Sequence, residues 1–264
     1  MKEEKVLRVL TKGLKNYCKK NGFHKVILGI SGGVDSALTA SIAVMALGKD
    51  NINGVYMPSK FSSRLSKKNA VLLARNLGIH LLEVPIKRMY SSYIKTMRKV
   101  FSAKDVDTTK QNIQSRIRAN ILMAYSNKYN YLVLATGNKS EGLVGYTTLY
   151  GDSAGGIAPI GNVYKTDVYK LSTFINQKLK KEIIPKSILM RPPSAELKPS
   201  QKDEDDIPPY SILDEILKLY YDKKITPKKI IKKGYNKEIV NKVVKMVKIS
   251  EFKRAQSPNP LKIK

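Results

Sequence analysis

The chain has 264 residues, 42% of them hydrophobic, with a formal net charge of +28 at pH 7 and a single cysteine. That length suits one large α/β domain with a substantial core, and no apolar run approaches the roughly 18 residues of a membrane span. One cysteine excludes an internal disulfide and suits a reducing cytoplasm; Met1-Lys2-Glu3-Glu4-Lys5 lacks the apolar core of a signal peptide. Lysine supplies most of the positive charge and is spread along the chain. It reads as solvated surface that helps attract anionic nucleotides, an effect salt would screen, rather than as a nucleic-acid site.

In chain order, residues 3–20 suggest an amphipathic helix with Val6, Leu7, Leu10, Leu14 and Tyr17 on one face. Cys18 lies on it and reads as structural. Val26 to Ile30 is a short apolar run, the mark of a buried parallel strand. Ser31-Gly32-Gly33 then turns sharply, and Val34 to Leu47 continues as a helix. Strand, glycine turn and helix aim free backbone N–H groups and a positive helix end at one place, where phosphate sits well. Ile52 to Met57, Ile79 to Val84 and Tyr131 to Thr136 read as further strands. Ser63 to Leu77, Ile86 to Phe101, Asp107 to Tyr129 and Val163 to Leu179 read as helices. This alternation predicts an α/β fold, a doubly wound, mainly parallel sheet with flanking helices, and one domain over residues 1–264. The end of the second strand should lie near the first loop. Tyr146 to Pro159, rich in glycine and small residues, reads as an active-site loop. The prolines of Arg191 to Pro199 exclude a helix there. Lys202 to Asp206 reads as acidic and mobile, Pro208 to Tyr221 and Lys237 to Glu251 as helices, and Phe252 to Pro258 as irregular.

The turn is neither GxxxxGK[ST] nor GxGxxG, because no lysine follows the glycines and Ser31 and Val34 break the second spacing. Gly29-Ile30-Ser31-Gly32-Gly33-Val34-Asp35-Ser36 resembles instead the pyrophosphatase loop of the N-type ATP pyrophosphatases. Hydroxyls at Ser31 and Ser36 can donate to phosphate. The Asp35 carboxylate stands where a Mg²⁺ would sit beside it. Further pieces follow in order: Asn112-x-x-x-Arg116-x-Arg118, Ala135-Thr136-Gly137-Asn138-Lys139-Ser140-Glu141, Tyr150-Gly151-Asp152, Tyr164-Lys165-Thr166-Asp167, Pro192-Pro193-Ser194-Ala195-Glu196-Leu197, Gln201-x-Asp203-Glu204 and Lys253-Arg254. Together they make the chain resemble the NAD synthetase family over nearly its whole length, on an adenine nucleotide α-hydrolase-like fold.

The resemblance implies a two-step amidation in the cytoplasm. The nicotinate carboxylate of deamido-NAD attacks ATP to give an NAD-adenylate and pyrophosphate, and ammonia then displaces AMP. It implies ATP contacts at residues 29–36, Thr136, Lys165 and Ser194, with Asp35 and Lys165 in catalysis. It implies Mg²⁺ on Asp35 and Glu141, and deamido-NAD contacts at Asn112, Arg116, Glu141 and Lys253. It also implies a homodimer. The places where ammonia-using relatives carry a lysine and an aspartate for the dinucleotide are here Leu149 and Gly156, and the histidine before the tail lysine is Phe252. Thr148-Leu149-Tyr150-Gly151-Asp152 and the Arg191 to Leu197 stretch look more like the synthetase half of glutamine-using relatives, whose glutaminase domain is expected to have no counterpart here. The expected nitrogen source is therefore free ammonia or ammonia from a separate glutaminase. The alternatives are a GMP synthetase-like amidase, a tRNA-modifying enzyme of the same superfamily, or a basic nucleic-acid-binding protein on this fold.

Overall fold

The computed structural model describes residues 2–100 and 107–263. The N-terminal helix α1 (Lys2–Lys20) buries Leu7, Leu10, Leu14 and Cys18. Strand β1 (Val26–Gly29) leads through the glycine turn into α2 (Val34–Leu47), buried almost all round. There follow β2 (Ile52–Tyr56), α3 (Arg64–Leu77), β3 (His80–Glu83), α4 (Lys87–Thr96), α5 (Thr108–Tyr129) and β4 (Leu132–Val133). The sheet is parallel throughout, in the order β3-β2-β1-β4, with Val26 opposite both Ile52 and Leu132. Apolar strands buried on both faces explain their near-continuous hydrophobic sequence.

The two faces have separate cores. Leu28 and Ile30 pack with Ala37, Leu38 and Ile42 of α2, Leu10 and Leu14 of α1, and Val168 and Leu171 of α7 (Lys165–Leu179). Ile27, Val55 and Val133 pack on the other face with Leu122 of α5, together with Met57 and Ile86. A third cluster joins α6 (Lys139–Val144), α9 (Tyr210–Leu217), α10 (Pro227–Lys232) and α11 (Lys237–Ile249), through Leu143, Leu213, Ile230, Val240 and Val243. Short α8 (Lys186–Leu189) and α12 (Glu251–Ala255) complete the helices of the described residues. No helix among these residues is long and apolar enough to cross a membrane.

Several expectations are corrected. The helix expected over Ile86 to Phe101 ends at Thr96, and Phe101 lies outside the described residues. The fourth strand is two residues long; Leu134 N–H still donates to the Ile27 carbonyl at 2.9 Å, but on its other side Leu134 bridges Ile157. The segment read as acidic and mobile is a short turn, Asp203–Asp205, pinned by buried Gln201, Asp203 and Ile207. The tail read as irregular is helical at Glu251–Ala255, because Arg254 donates to the carbonyls of Leu143 and Val247 at 2.8 Å each. Helices α8 and α10 have no counterpart in the sequence reading.

Candidate active site

A cleft opens at the C-terminal ends of the strands, where ligands of such sheets collect. Its floor is the loop Gly29, Ile30, Ser31, Gly33, Val34, Asp35 and Ser36. The second strand ends beside it, as expected, with Ile30 N–H donating to the Val55 carbonyl at 2.9 Å. Ser36 Oγ donates to the Gly33 carbonyl at 3.0 Å and lies 3.1 Å from Ser31 Oγ, which accepts from Gly33 N–H at 3.2 Å. Hydroxyls thus hold the turn in shape, while the α2 N-terminus has no side-chain cap. Its uncapped amides form a preorganised anion seat. Gly32 has φ +81°, and a Cβ there would fall 2.4 Å from the Ser66 carbonyl oxygen. Only glycine fits that approach of α3.

Beside the seat stands an ion-pair cluster. Lys165, 3% exposed at the start of α7, donates to Asp35 Oδ2 at 2.5 Å and to Glu141 Oε1 at 3.0 Å. Asp35 Oδ1 accepts from Asn138 Nδ2 at 2.9 Å. Asn138 also caps α6, its Oδ1 accepting Glu141 N–H at 3.0 Å. Asn138 therefore reaches both carboxylates, Asp35 through its side-chain amide and Glu141 Oε2 through its backbone N–H at 3.5 Å. The start of α7 is fixed in turn by Ser140, whose Oγ accepts Lys165 N–H at 2.9 Å, and by Asp214, which accepts Thr166 N–H at 2.8 Å.

Burial pushes the Glu141 carboxyl up to about 7, against the pull of Lys165 and with a push from Asp35 and Asp203. Burial disfavours the charged Lys165, yet Asp35 and then Glu141 outweigh it and hold the ammonium above its usual range. Two hard carboxylates flank the cation next to the phosphate seat. Among the described residues no set of three or more His, Cys, Asp or Glu side chains is placed to hold a metal. A pair of carboxylates fits Mg²⁺, which takes one or two from protein and completes its shell with phosphate oxygens and water.

The other expected residues divide. Thr136, Ser194, Asn112 and Lys253 line the cleft. The Ser194 hydroxyl donates to the Gln201 carbonyl at 2.5 Å, so it also shapes its own loop. Asn112 Oδ1 accepts from Thr148 Oγ at 2.7 Å, and Lys253 Nζ donates to the carbonyls of Gly145 and Thr147 at 2.7 and 2.8 Å. Arg116 is exposed, outside the cleft lining, with its Nε on the Leu149 carbonyl at 3.1 Å. A Cβ on Gly156 would fall 2.5 Å from Leu132 Cδ1, so a side chain there would have to displace the buried Leu132.

Residues that the sequence reading left without a role also converge here. Arg191 pairs with Glu196 Oε1 at 2.5 Å, and both hold the Ser66 hydroxyl. This ties the proline-rich segment across the cleft to α3. Asp203 lies beside the cluster, its Oδ2 accepting from Tyr210 Oη at 2.9 Å; that hydroxyl is also 3.3 Å from Glu141 Oε1. The Gln201-x-Asp203-Glu204 motif was the available signal for Asp203. Tyr210 had none.

A family model described as NAD synthase matches residues 6–257. The chain is 49% identical over 263 residues to a glutamine-dependent NAD(+) synthetase of Thermotoga maritima, covering 100% of this chain and 46% of that protein. It is 50% identical over 256 residues to one from Aquifex aeolicus, covering 97% and 45%. It thus spans about half the length of the curated relatives it matches. Among solved structures, an NMN synthetase of Francisella tularensis superposes with a TM-score of 0.82 at 27% identity, covering 96% of this chain and 95% of that one. An NH3-dependent NAD synthetase of Campylobacter jejuni gives 0.77 at 25%, covering 98% of each. With that match running almost from end to end, the chain belongs to the NAD synthase family.

Proposed function

We propose that this chain amidates the nicotinate carboxylate of deamido-NAD to form NAD, consuming ATP through an NAD-adenylate, with ammonia as the attacking nitrogen. The observation that carries the reading is one cleft in which an uncapped helix N-terminus meets Lys165 held between Asp35 and Glu141. A carboxylate is a poor acyl donor, so it must first be activated by adenylation. Its oxygen attacks the α-phosphorus, the bond to the α,β-bridging oxygen breaks, and the electron pair leaves on pyrophosphate. The amides at the uncapped start of α2, residues 34–36, receive that pyrophosphate. Lys165 supplies a fixed positive charge next to them, at no cost of solvent reorganisation. Asp35 and Glu141 would hold Mg²⁺, which neutralises phosphate charge when bound. Thr136 and Ser194 contact ATP; Asn112 and Lys253 contact the dinucleotide. In the second step the nitrogen of ammonia attacks the activated carbonyl carbon and AMP departs. The protein's part in both steps is positioning and charge stabilisation.

The likeness to an NMN synthetase of comparable length favours one second reading, with nicotinate mononucleotide in place of deamido-NAD. The position of Arg116 outside the cleft agrees with a smaller substrate. One mass-spectrometric assay separates these readings. Protein with ATP and Mg²⁺ receives deamido-NAD or nicotinate mononucleotide, each with ammonium or with glutamine. NAD and AMP from deamido-NAD and ammonium support the proposal. Amidation of the mononucleotide alone supports the second reading. Turnover with glutamine alone would overturn the use of free ammonia, and no AMP in any tube would overturn both readings.

A further inference from the structure

Arg118, on α5, has no part in the mechanism above. Its Nε donates to the Met57 carbonyl at 2.9 Å, at the end of β2, and the side chain lines the cleft together with Gly29, Ser31 and Asp35. Among the described residues, no carboxylate comes within ion-pair distance of it. Four other cations line the cleft, and three of them, Lys165, Arg191 and Lys253, are tied to protein oxygens by their charged ends; the fourth, Lys198, lies on the proline-rich segment. Burial pushes Arg118 down to about 10, against the more distant Glu196, Tyr56 and Asp152, so it stays protonated near neutral pH. A partly buried guanidinium without a carboxylate is unfavourable until an anion reaches it.

The fold indicates which anion. Helix α2 runs from the loop on one face of the sheet, and α5 packs on the other. Arg118 and the loop therefore meet the end of β1 from opposite sides. With the β- and γ-phosphates on the loop, the next phosphorus toward the opposite wall is the α-phosphorus. We propose that Arg118 is a catalytic residue of adenylation, its Nη groups donating to a non-bridging oxygen of the α-phosphoryl group as the substrate carboxylate attacks. The carboxylate oxygen bonds to phosphorus while the bond to the α,β-bridging oxygen breaks and pyrophosphate takes the electron pair. No proton moves, and the guanidinium offsets the charge on the five-coordinate phosphorus. The inference rests on the proposed function and assigns a residue within it.

The test is exchange of labelled pyrophosphate into ATP, dependent on deamido-NAD and run without ammonia, which isolates the first step. Arg118→Gln keeps a donor for the Met57 carbonyl and removes the charge. Its exchange turnover should fall about 100-fold or more, as for loss of one transition-state donor, while the KM for ATP stays within about fivefold. Arg118→Ala should regain exchange when guanidinium ion is added, which a structural defect would not allow. Turnover of Arg118→Gln within about fivefold of the parent overturns the role, as does a rise in KM alone or a loss that guanidinium leaves unchanged. The parent protein separates the two claims. No exchange in the parent overturns the proposed function and this role with it. Exchange in the parent that persists in Arg118→Gln overturns the role of Arg118 alone.

Discussion

Replacing Lys165 by Met removes the cation that two carboxylates share while keeping the volume of the stem. Lys165 is 3% exposed and its partners lie at 2.5 and 3.0 Å. Removing one partner of such a buried set costs about 3–5 kcal/mol, because the charges left behind are uncompensated. The cost should depend on pH through Glu141, whose carboxyl already sits at about 7 rather than 4.5, mainly through burial. That displacement corresponds to about 3 kcal/mol. A raised carboxyl binds more protons folded than unfolded, so its contribution is fully present below about pH 4.5 and is lost as pH rises through about 7. Without Lys165, which pulls Glu141 down, the folded value moves higher still. At about pH 6 Glu141 then takes a proton and sheds its charge; at about pH 8 more of the penalty remains. Urea unfolding of parent and variant, free of metal and nucleotide, should give a loss of about 3–5 kcal/mol near pH 8, smaller by at least about 1 kcal/mol near pH 6. Equal losses at the two pH values would refute the reasoning, as would a loss below about 1 kcal/mol near pH 8.

Asn138→Asp keeps an equally good helix cap but sets an oxygen against Asp35 Oδ1, where a donor now stands at 2.9 Å. Pyrophosphate exchange should drop more than about tenfold while thermal unfolding shifts by only a few degrees; a parallel loss of both would show a purely structural residue. Gly32→Ala forces a Cβ to 2.4 Å from the Ser66 carbonyl oxygen at φ +81°, so ATP should no longer shift the melting temperature. Gly137→Ala, with nothing within 4 Å of its Cβ, should melt within a few degrees of the parent. Chelation of divalent cations should abolish AMP and NAD formation together, and Mg²⁺ should restore both. AMP release that persists under chelation would mean that Asp35 and Glu141 serve Lys165 alone.

The sheet was legible because strands buried on both faces must be apolar and short, and Val26 to Ile30 has no other good use. The phosphate seat was legible because Gly32, at φ +81°, permits a turn that few residues tolerate. Lys165 meets Asp35 across 130 positions, and no local pattern foretells that contact. Motif order placed them in one site, but only the packing of α7 against α2 makes them partners. Asp203 misled in the opposite direction. Acidic neighbours suggested a solvated run, whereas the Tyr210 hydroxyl and the burial of Ile207 hold it inside. The tail likewise read as irregular because its helix depends on the distant Leu143 carbonyl.

The last described residues close the core that the first ones open. Ala158 bridges Pro260, Asn162 donates to the Leu261 carbonyl, and the Leu261 side chain sits about where a Cβ on Gly13 of α1 would point. During synthesis, the Gly13 turn of α1 must therefore wait for residues made some 250 positions later before it is covered. Until then Gly13 lacks the cover of Leu261, and Ala158 and Asn162 lack their partners at residues 259–261. ATP binding should consequently emerge late, once residues 259–261 have been made, rather than grow as the strands appear. A nascent chain stalled before Leu261 would be a substrate for chaperones and proteases although its phosphate loop had long been made.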